Sequence, residues 1–222
     1  MIAFTHLCLL VAAAVGVNAA SRQDSNRFID DLLSVRLPSV PGINAVALDD
    51  FKFKIKKELE LGVLPTHRDI KANFTNGVLN GLGNLRRRDN CEPTVGIASG
   101  ILLSCPIDLS SLEAKYTSFV KGFNIVGQVK EISVTVKILS SFINFEVQQD
   151  SSQQPFVKTF LVDRILTKIE MPDIGFNEER QTKFKSEVDK AVQPILINVL
   201  SGKLLDSINV ALKGGDLRLP PV

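Results

Sequence analysis

Few side chains in this sequence are equipped for chemistry, and their spacing excludes most of it. After the first twenty residues the sole histidine is His67, in the turn-forming run Pro65-Thr66-His67-Arg68, where an imidazole is simply exposed. Covalent catalysis needs a nucleophile within reach of a base, and no Gly-x-Ser-x-Gly elbow or His-Glu-x-x-His helix occurs to supply one. The glycine-rich stretch 77–83 lacks the Gly-Lys-Ser/Thr ending of a phosphate loop and has no helix after it. The paired carboxylates Glu178 and Glu179 open a helix, where negative charge favours the positive end of the dipole. The reading is a protein that is not an enzyme, with no cofactor, catalytic residue or metal ligands.

Three further groups invite covalent or processing chemistry. Cys8 falls in the leading apolar run, leaving Cys91 and Cys105. An even pair in an oxidising compartment predicts one disulfide, closing a loop whose chain entropy is worth roughly 3 kcal/mol. Without histidine partners the pair is no zinc site. Asn73-Phe74-Thr75 is an N-glycosylation sequon, and Asn73 falls between the inward-facing Ala72 and Phe74, so a glycan there would point away from the core. Leu85-Arg86-Arg87-Arg88 lacks the additional arginine of a furin-type site and reads as a solvated turn.

Composition bounds the partners. Residues 1–20 form a secretory signal: positions 6–17 are almost wholly apolar, and Val17-Asn18-Ala19 ends on small residues. Removal leaves one domain, 21–222, in a secreted, extracellular chain with no later stretch of 18 apolar residues to span a membrane. The net charge is +2, and the arginine triplet lacks interleaved aromatics, so nucleic acid is excluded as a partner. Thirteen Phe accompany one Tyr and no Trp, giving an interior rich in apolar surface and poor in hydrogen-bonding handles.

The elements follow from periodicity. Over residues 51–63 apolar side chains hold every odd position except Lys57, a period of two that predicts a strand of roughly 43 Å at 3.3 Å per residue. Residues 69–78 alternate again, with Ile70, Ala72, Phe74 and Val78 on one face. Residues 93–105 carry Val95, Ile97, Ile101, Leu103 and Cys105 on one side and small Gly96, Ala98, Gly100 and Ser104 on the other, which leaves room for a neighbouring backbone or a ligand. Further strands over 109–120, 129–138, 142–147 and 156–171 predict an antiparallel meander. A short helix over 25–35, capped by Ser25 and stopped by Pro38 and Pro41, precedes the sheet. A long helix opens at Asn177 and runs to about Lys213, roughly 55 Å if straight. Pro194 predicts a kink, Gly202 a second division, and Gly214-Gly215 a stop. The fold class is α+β: a long curved antiparallel β-sheet around a long C-terminal amphipathic helix, with a short N-terminal helix.

The order of elements, together with Lys183-Phe184-Lys185-Ser186-Glu187-Val188 and Val192-Gln193-Pro194-Ile195-Leu196, resembles the arthropod group 7 mite-allergen family. That family belongs to the BPI-like, takeout-like and juvenile-hormone-binding-like (TULIP) lipid carriers. The resemblance implies an elongated super-roll in a single unit and an arthropod-like lipid carrier. The takeout and hormone carriers place a cysteine near their N-terminal helix, and this chain has none between its signal and Cys91, so no hormone ligand is carried over. The expected occupant is a small apolar molecule, a fatty acid or other lipid, in a cavity between helix and sheet. Phe184, Val188, Val192, Ile195 and Val199 would line the helix side, with Phe51, Phe53, Phe74 and Val134 facing them. Phe28 and Leu32 would close one end. A surface-active or innate-immune protein, binding bacterial lipids, a membrane surface or a protein through an exposed apolar patch, is the alternative; a dry, filled core is the third reading.

Overall fold

The computed structural model describes residues 21–56, 68–124, 126–151, 153–214 and 217–222. The expected signal, Pro65, Thr66 and His67 of the turn, the second half of the 51–63 strand and Gly215 lie outside the described residues.

The chain opens with α1 (Arg22–Asp31). Its cap is Ser21, not Ser25: Ser21 Oγ accepts from the Asp24 N–H at 3.2 Å, and the Ser21 N–H donates to the Asp24 carboxylate at 3.1 Å. This reciprocal box satisfies two orphan donors and outcompetes a cap four residues later, and Ser25 is buried instead. The helix continues through a π-helical turn, Leu32–Arg36, and a 3-10 turn, Leu37–Ser39, that holds Pro38. Phe28, Ile29, Leu32 and Leu33 are all buried, as their helical spacing predicts.

Eleven described strands follow: β1 (Ala45–Leu48), β2 (Phe51–Ile55), β3 (Ile70–Asn80), β4 (Arg86–Arg87), β5 (Val95–Ile97), β6 (Gly100–Asp108), β7 (Glu113–Lys121), β8 (Val129–Ile138), β9 (Phe142–Asp150), β10 (Phe156–Val162) and β11 (Thr167–Glu170). Their pairings are antiparallel, but they form two sheets and not one meander. One runs β1-β3-β7-β8-β11 with β2 also on β3; the other runs β10-β9-β6-β4 with β5 also on β6. β7 returns to β3 and skips the strands between them, so sequence neighbours are only partly space neighbours.

Two local features re-aim side chains. Between Thr75 and Val78 the β3–β7 register shifts, and Asn76 adopts a left-handed conformation at φ 55°, which asparagine tolerates. This extra residue inverts the alternation: Ile70, Ala72 and Phe74 face inward, but beyond the bulge Leu79 is buried and Val78 only half-buried. The second feature is the β5–β6 hairpin. Gly96 and Ala98 are exposed, so this small face does not open toward the interior. Gly100 is required by close approach: a β-carbon there would lie 2.1 Å from the Gln149 carbonyl oxygen.

The disulfide Cys91–Cys105 is formed. It joins the segment after β4 to β6, flanked by the backbone bonds Arg88 N–H to Pro106 O at 2.9 Å and Glu92 N–H to Ser104 O at 3.0 Å. The arginine triplet is not a solvated turn. Leu85 is buried, Arg87 donates two bonds to Asp30 at 2.7 and 2.8 Å, and the Arg88 guanidinium lies 4.3 Å from the centre of the Phe142 ring.

The C-terminal helix comprises α2 (Glu178–Val199), a π-helical turn Leu200–Leu204, and α3 (Leu205–Lys213). Asn177 caps it, accepting from the Arg180 N–H at 2.9 Å. Pro194 lies within α2 without ending it; the interruption falls at the turn containing Gly202. That turn has a geometric purpose. Phe184, Val188, Val192, Leu196, Leu200, Leu204, Ile208 and Leu212 are all 0% exposed, a stripe with a strict spacing of four. In an ideal helix such a stripe drifts by about 40° per step, and a π-turn winds it back. The first half packs on β1, β2 and β11; the second packs on β10 and on the N-terminal π- and 3-10 turns. By length and composition the helix 178–213 could cross a membrane, but here this stripe is the spine of the core.

Candidate apolar-ligand site

Helix and sheet meet through aromatic rings. Phe51 and Phe53 sit on β2 opposite Phe74 and Ala72 of β3. Phe51 stacks on Phe74 with centroids 4.3 Å apart and planes 9° from parallel. Phe184 of α2 meets Phe53 at 5.3 Å, Phe74 at 6.1 Å and Phe176 at 5.6 Å. Tyr116 of β7 turns its edge to Phe51 at 5.1 Å. These separations are those of favourable offset and edge-to-face pairs.

The expected lining residues divide into an inner and an outer row. Phe74, Val134, Phe184, Val188 and Val192 are fully buried, whereas Phe51, Phe53, Ile195 and Val199 are half-buried and packed against the core. Leu196 and Leu200 take the inner helix positions beyond Val192 because the stripe follows the spacing of four. Phe28 and Leu32 are buried in the other half of the molecule, where α1 meets β4 and the following π-turn meets α3. The structure therefore brings Phe184 of α2 to Phe53 and Phe74, and places Phe28 and Leu32 in the other half.

At the β2–α2 seam lies a groove of about 510 Å³, bordered by Lys54, Lys56, Lys183 and Lys190 together with Ile55 and Glu187. Lys54 pairs with Asp69 at 2.8 Å, Lys183 with Glu179 at 2.7 Å and Lys190 with Glu187 at 2.8 Å. The wet rim thus carries lysine heads, three of them paired with carboxylates, around the half-buried Ile55. Near the start of α2 the Arg180 guanidinium donates to the Gly122 and Arg68 carbonyls at 2.9 and 3.1 Å and lies 5.0 Å from the Phe176 ring centre. Its partial burial lowers its pKa from the usual arginine value.

Deeper, the inner face of β7 presents Ala114, Tyr116, Ser118 and Val120, all buried. The Tyr116 hydroxyl donates to the Asp49 carbonyl at 3.4 Å, and burial, followed by the charges of Asp49 and Asp50, pushes its pKa well up. Tyr116, Phe176, Ser118 and Leu196 also adjoin the candidate site and are not among the lining residues expected from the sequence. The spacing of four from Phe184 could have disclosed Leu196, and the alternation through Ala114 and Val120 could have disclosed Tyr116 and Ser118; nothing local marks Phe176. Among the described residues no group of three metal-ligating side chains is present.

No protein-family model matches the chain. Salivary anticoagulant protein P23 of Ixodes scapularis is 25% identical over 213 residues, 93% of this chain and 94% of that protein. Among solved structures, lipopolysaccharide binding protein aligns with a TM-score of 0.45 at 14% identity, over 89% of this chain and 39% of that one. Takeout 1 of Epiphyas postvittana aligns with a TM-score of 0.29 at 12% identity, over 86% of this chain and 84% of that one. The chain thus spans about two fifths of the length of lipopolysaccharide binding protein.

Proposed function

We propose that this chain is a secreted, non-catalytic lipid carrier of the BPI-like and takeout-like superfamily, with a layout that resembles the group 7 mite allergens. It holds a fatty acid or similar lipid between α2 and the sheet of β2 and β3. The observation that carries this reading is the seam itself: half-buried Phe51, Phe53 and Ile55 on β2 and half-buried Ile195 and Val199 on α2, with a lysine-bordered groove at Ile55. An acyl chain would bury apolar surface at about 25 cal/mol per Å², while its carboxylate remained at the cationic rim. A salivary relative similar along nearly its whole length supports secretion.

The test is displacement of a fluorescent fatty acid from delipidated protein, repeated with Ile195→Trp and Val188→Trp. Saturable binding that both tryptophans weaken in folded protein supports the reading. No binding, or binding that both leave untouched, contradicts it and favours a filled core.

The relative's anticoagulant name motivates a second reading, action on a clotting protein through the surface. The apolar side chains exposed at the β7–β8 end, Phe119, Val126 and Val129, are where such a partner would dock. Prolonged plasma clotting that Val126→Asp abolishes, with lipid binding intact, would favour it.

A further inference from the structure

Ser118 is fully buried, and its hydroxyl has no hydrogen-bond partner. It lies on the inner face of β7, paired with Phe74 of β3 on one side and Ile132 of β8 on the other. Antiparallel partners share a face, with β-carbons about 5 Å apart. The hydroxyl is therefore set beside the ring that joins Phe51, Phe53 and Phe184. A buried donor left unpaired is costly, and a valine or alanine would fit this row of Ala114, Tyr116 and Val120 without that cost.

Two other buried hydroxyls lack partners, Ser25 and Thr94. They lie on α1 and just before β5, away from the β2–α2 seam. Ser118 alone of the three sits among the residues of the candidate site. The buried polar residues described are Ser, Thr and Gln, with no Lys, Arg, Asp or Glu among them. An ionised oxygen at this depth would have no counter-charge and would be strongly disfavoured. A neutral oxygen would not.

We infer that Ser118 is a specificity-determining residue that hydrogen-bonds a neutral oxygen partway along the bound chain, selecting keto- or hydroxy-substituted lipids over plain ones. The inference rests on the carrier reading. A serine hydroxyl both donates and accepts, so it suits a ketone or an alcohol. The lipid's own carboxylate belongs at the lysine rim, and Ser118 reads a second position further in.

The experiment uses delipidated protein loaded with N-phenyl-1-naphthylamine. The probe is displaced by octadecanoic acid and by a positional series of oxo-octadecanoic acids whose ketone moves along the chain. One or two adjacent positions should bind about five- to tenfold more tightly than octadecanoic acid, the worth of one hydrogen bond in a dry site. Ser118→Ala should erase that preference, so that every oxo acid binds the variant as octadecanoic acid does, with the melting temperature held or raised because the hydroxyl it removes has no partner. Equal affinity along the wild-type series, or a preference that survives Ser118→Ala, overturns the assignment while the carrier reading stands. Failure of octadecanoic acid itself to displace the probe overturns both.

Discussion

Phe184 is the one side chain of α2 whose ring touches Phe53, Phe74 and Phe176 together, and it is fully buried. Phe184→Ala removes the ring and leaves a cavity between two elements that cannot close without moving a helix. Substitutions of this kind cost about 3–5 kcal/mol, and each lost aromatic pair adds about 0.5–1.5 kcal/mol beyond burial, in part already counted. We expect about 4 kcal/mol. For a domain of this size that corresponds to a fall in melting temperature of roughly 8–16 °C. Urea unfolding followed by far-UV circular dichroism is the assay, since the chain has no tryptophan. Delipidated protein must be used, because a bound ligand raises apparent stability. The slope should be unchanged and the midpoint displaced. A double-mutant cycle with Phe53→Ala should give a coupling of about 1 kcal/mol. A loss below about 1 kcal/mol for Phe184→Ala, far under the range for buried rings, would show that α2 and the sheet are not held by this cluster.

Gly77→Ala should destabilise by about 1–3 kcal/mol, because its β-carbon would lie 2.3 Å from the Tyr116 ring and 2.9 Å from Leu48 Cβ; chemical denaturation reads the loss, and a neutral result would mean that the β3 bulge is misplaced. Glu170 is held down to about 2 by its bonds to Lys137 and Lys168. A depressed carboxylate contributes stability above its ordinary pKa of 4.5 that disappears as pH falls through the folded value. The Glu170 carboxyl should therefore titrate well below other glutamates by NMR, and Lys137→Gln should move its midpoint upward. Asn73 is exposed on the outer face of β3, so secretion from a eukaryotic cell should add a glycan there; glycosidase should lower the mass of the wild type and leave Asn73→Gln unchanged.

Much of the fold was legible because burial on one face imposes a period. The period of two placed β8 at residues 129–138, the bounds the structure gives it, and the 3.6-residue pattern found α1 and the C-terminal helix. What failed depended on a single residue or on distant partners. Val78 was assigned inward because alternation was extended through Asn76, where a left-handed backbone inverts it. The small face of residues 93–105 has the composition of a lining, yet Gly96 and Ala98 turn outward, since composition does not say which face meets the core. Two sheets were read as one because pairing of β3 with β7 is a long-range choice that local pattern does not encode. At the candidate site, aromatic spacing disclosed Phe51, Phe53, Phe74 and Phe184. Alternation sets Ser118 on the face of Ala114, Tyr116 and Val120, but its place beside Phe74 and Ile132 rests on a long-range register that local pattern does not encode.

A lipid held in the seam between α2 and the sheet would travel with the protein through purification, so the contents of the native protein reveal it. Protein secreted by eukaryotic cells and purified without detergent should be weighed by native mass spectrometry, then extracted with organic solvent and the extract analysed. The expected result is a bound species of acyl-chain mass at near one per chain, absent after delipidation and strongly reduced in Ile195→Trp. Native protein whose mass is that of the glycosylated polypeptide alone, with nothing in the extract above a buffer control, would contradict it.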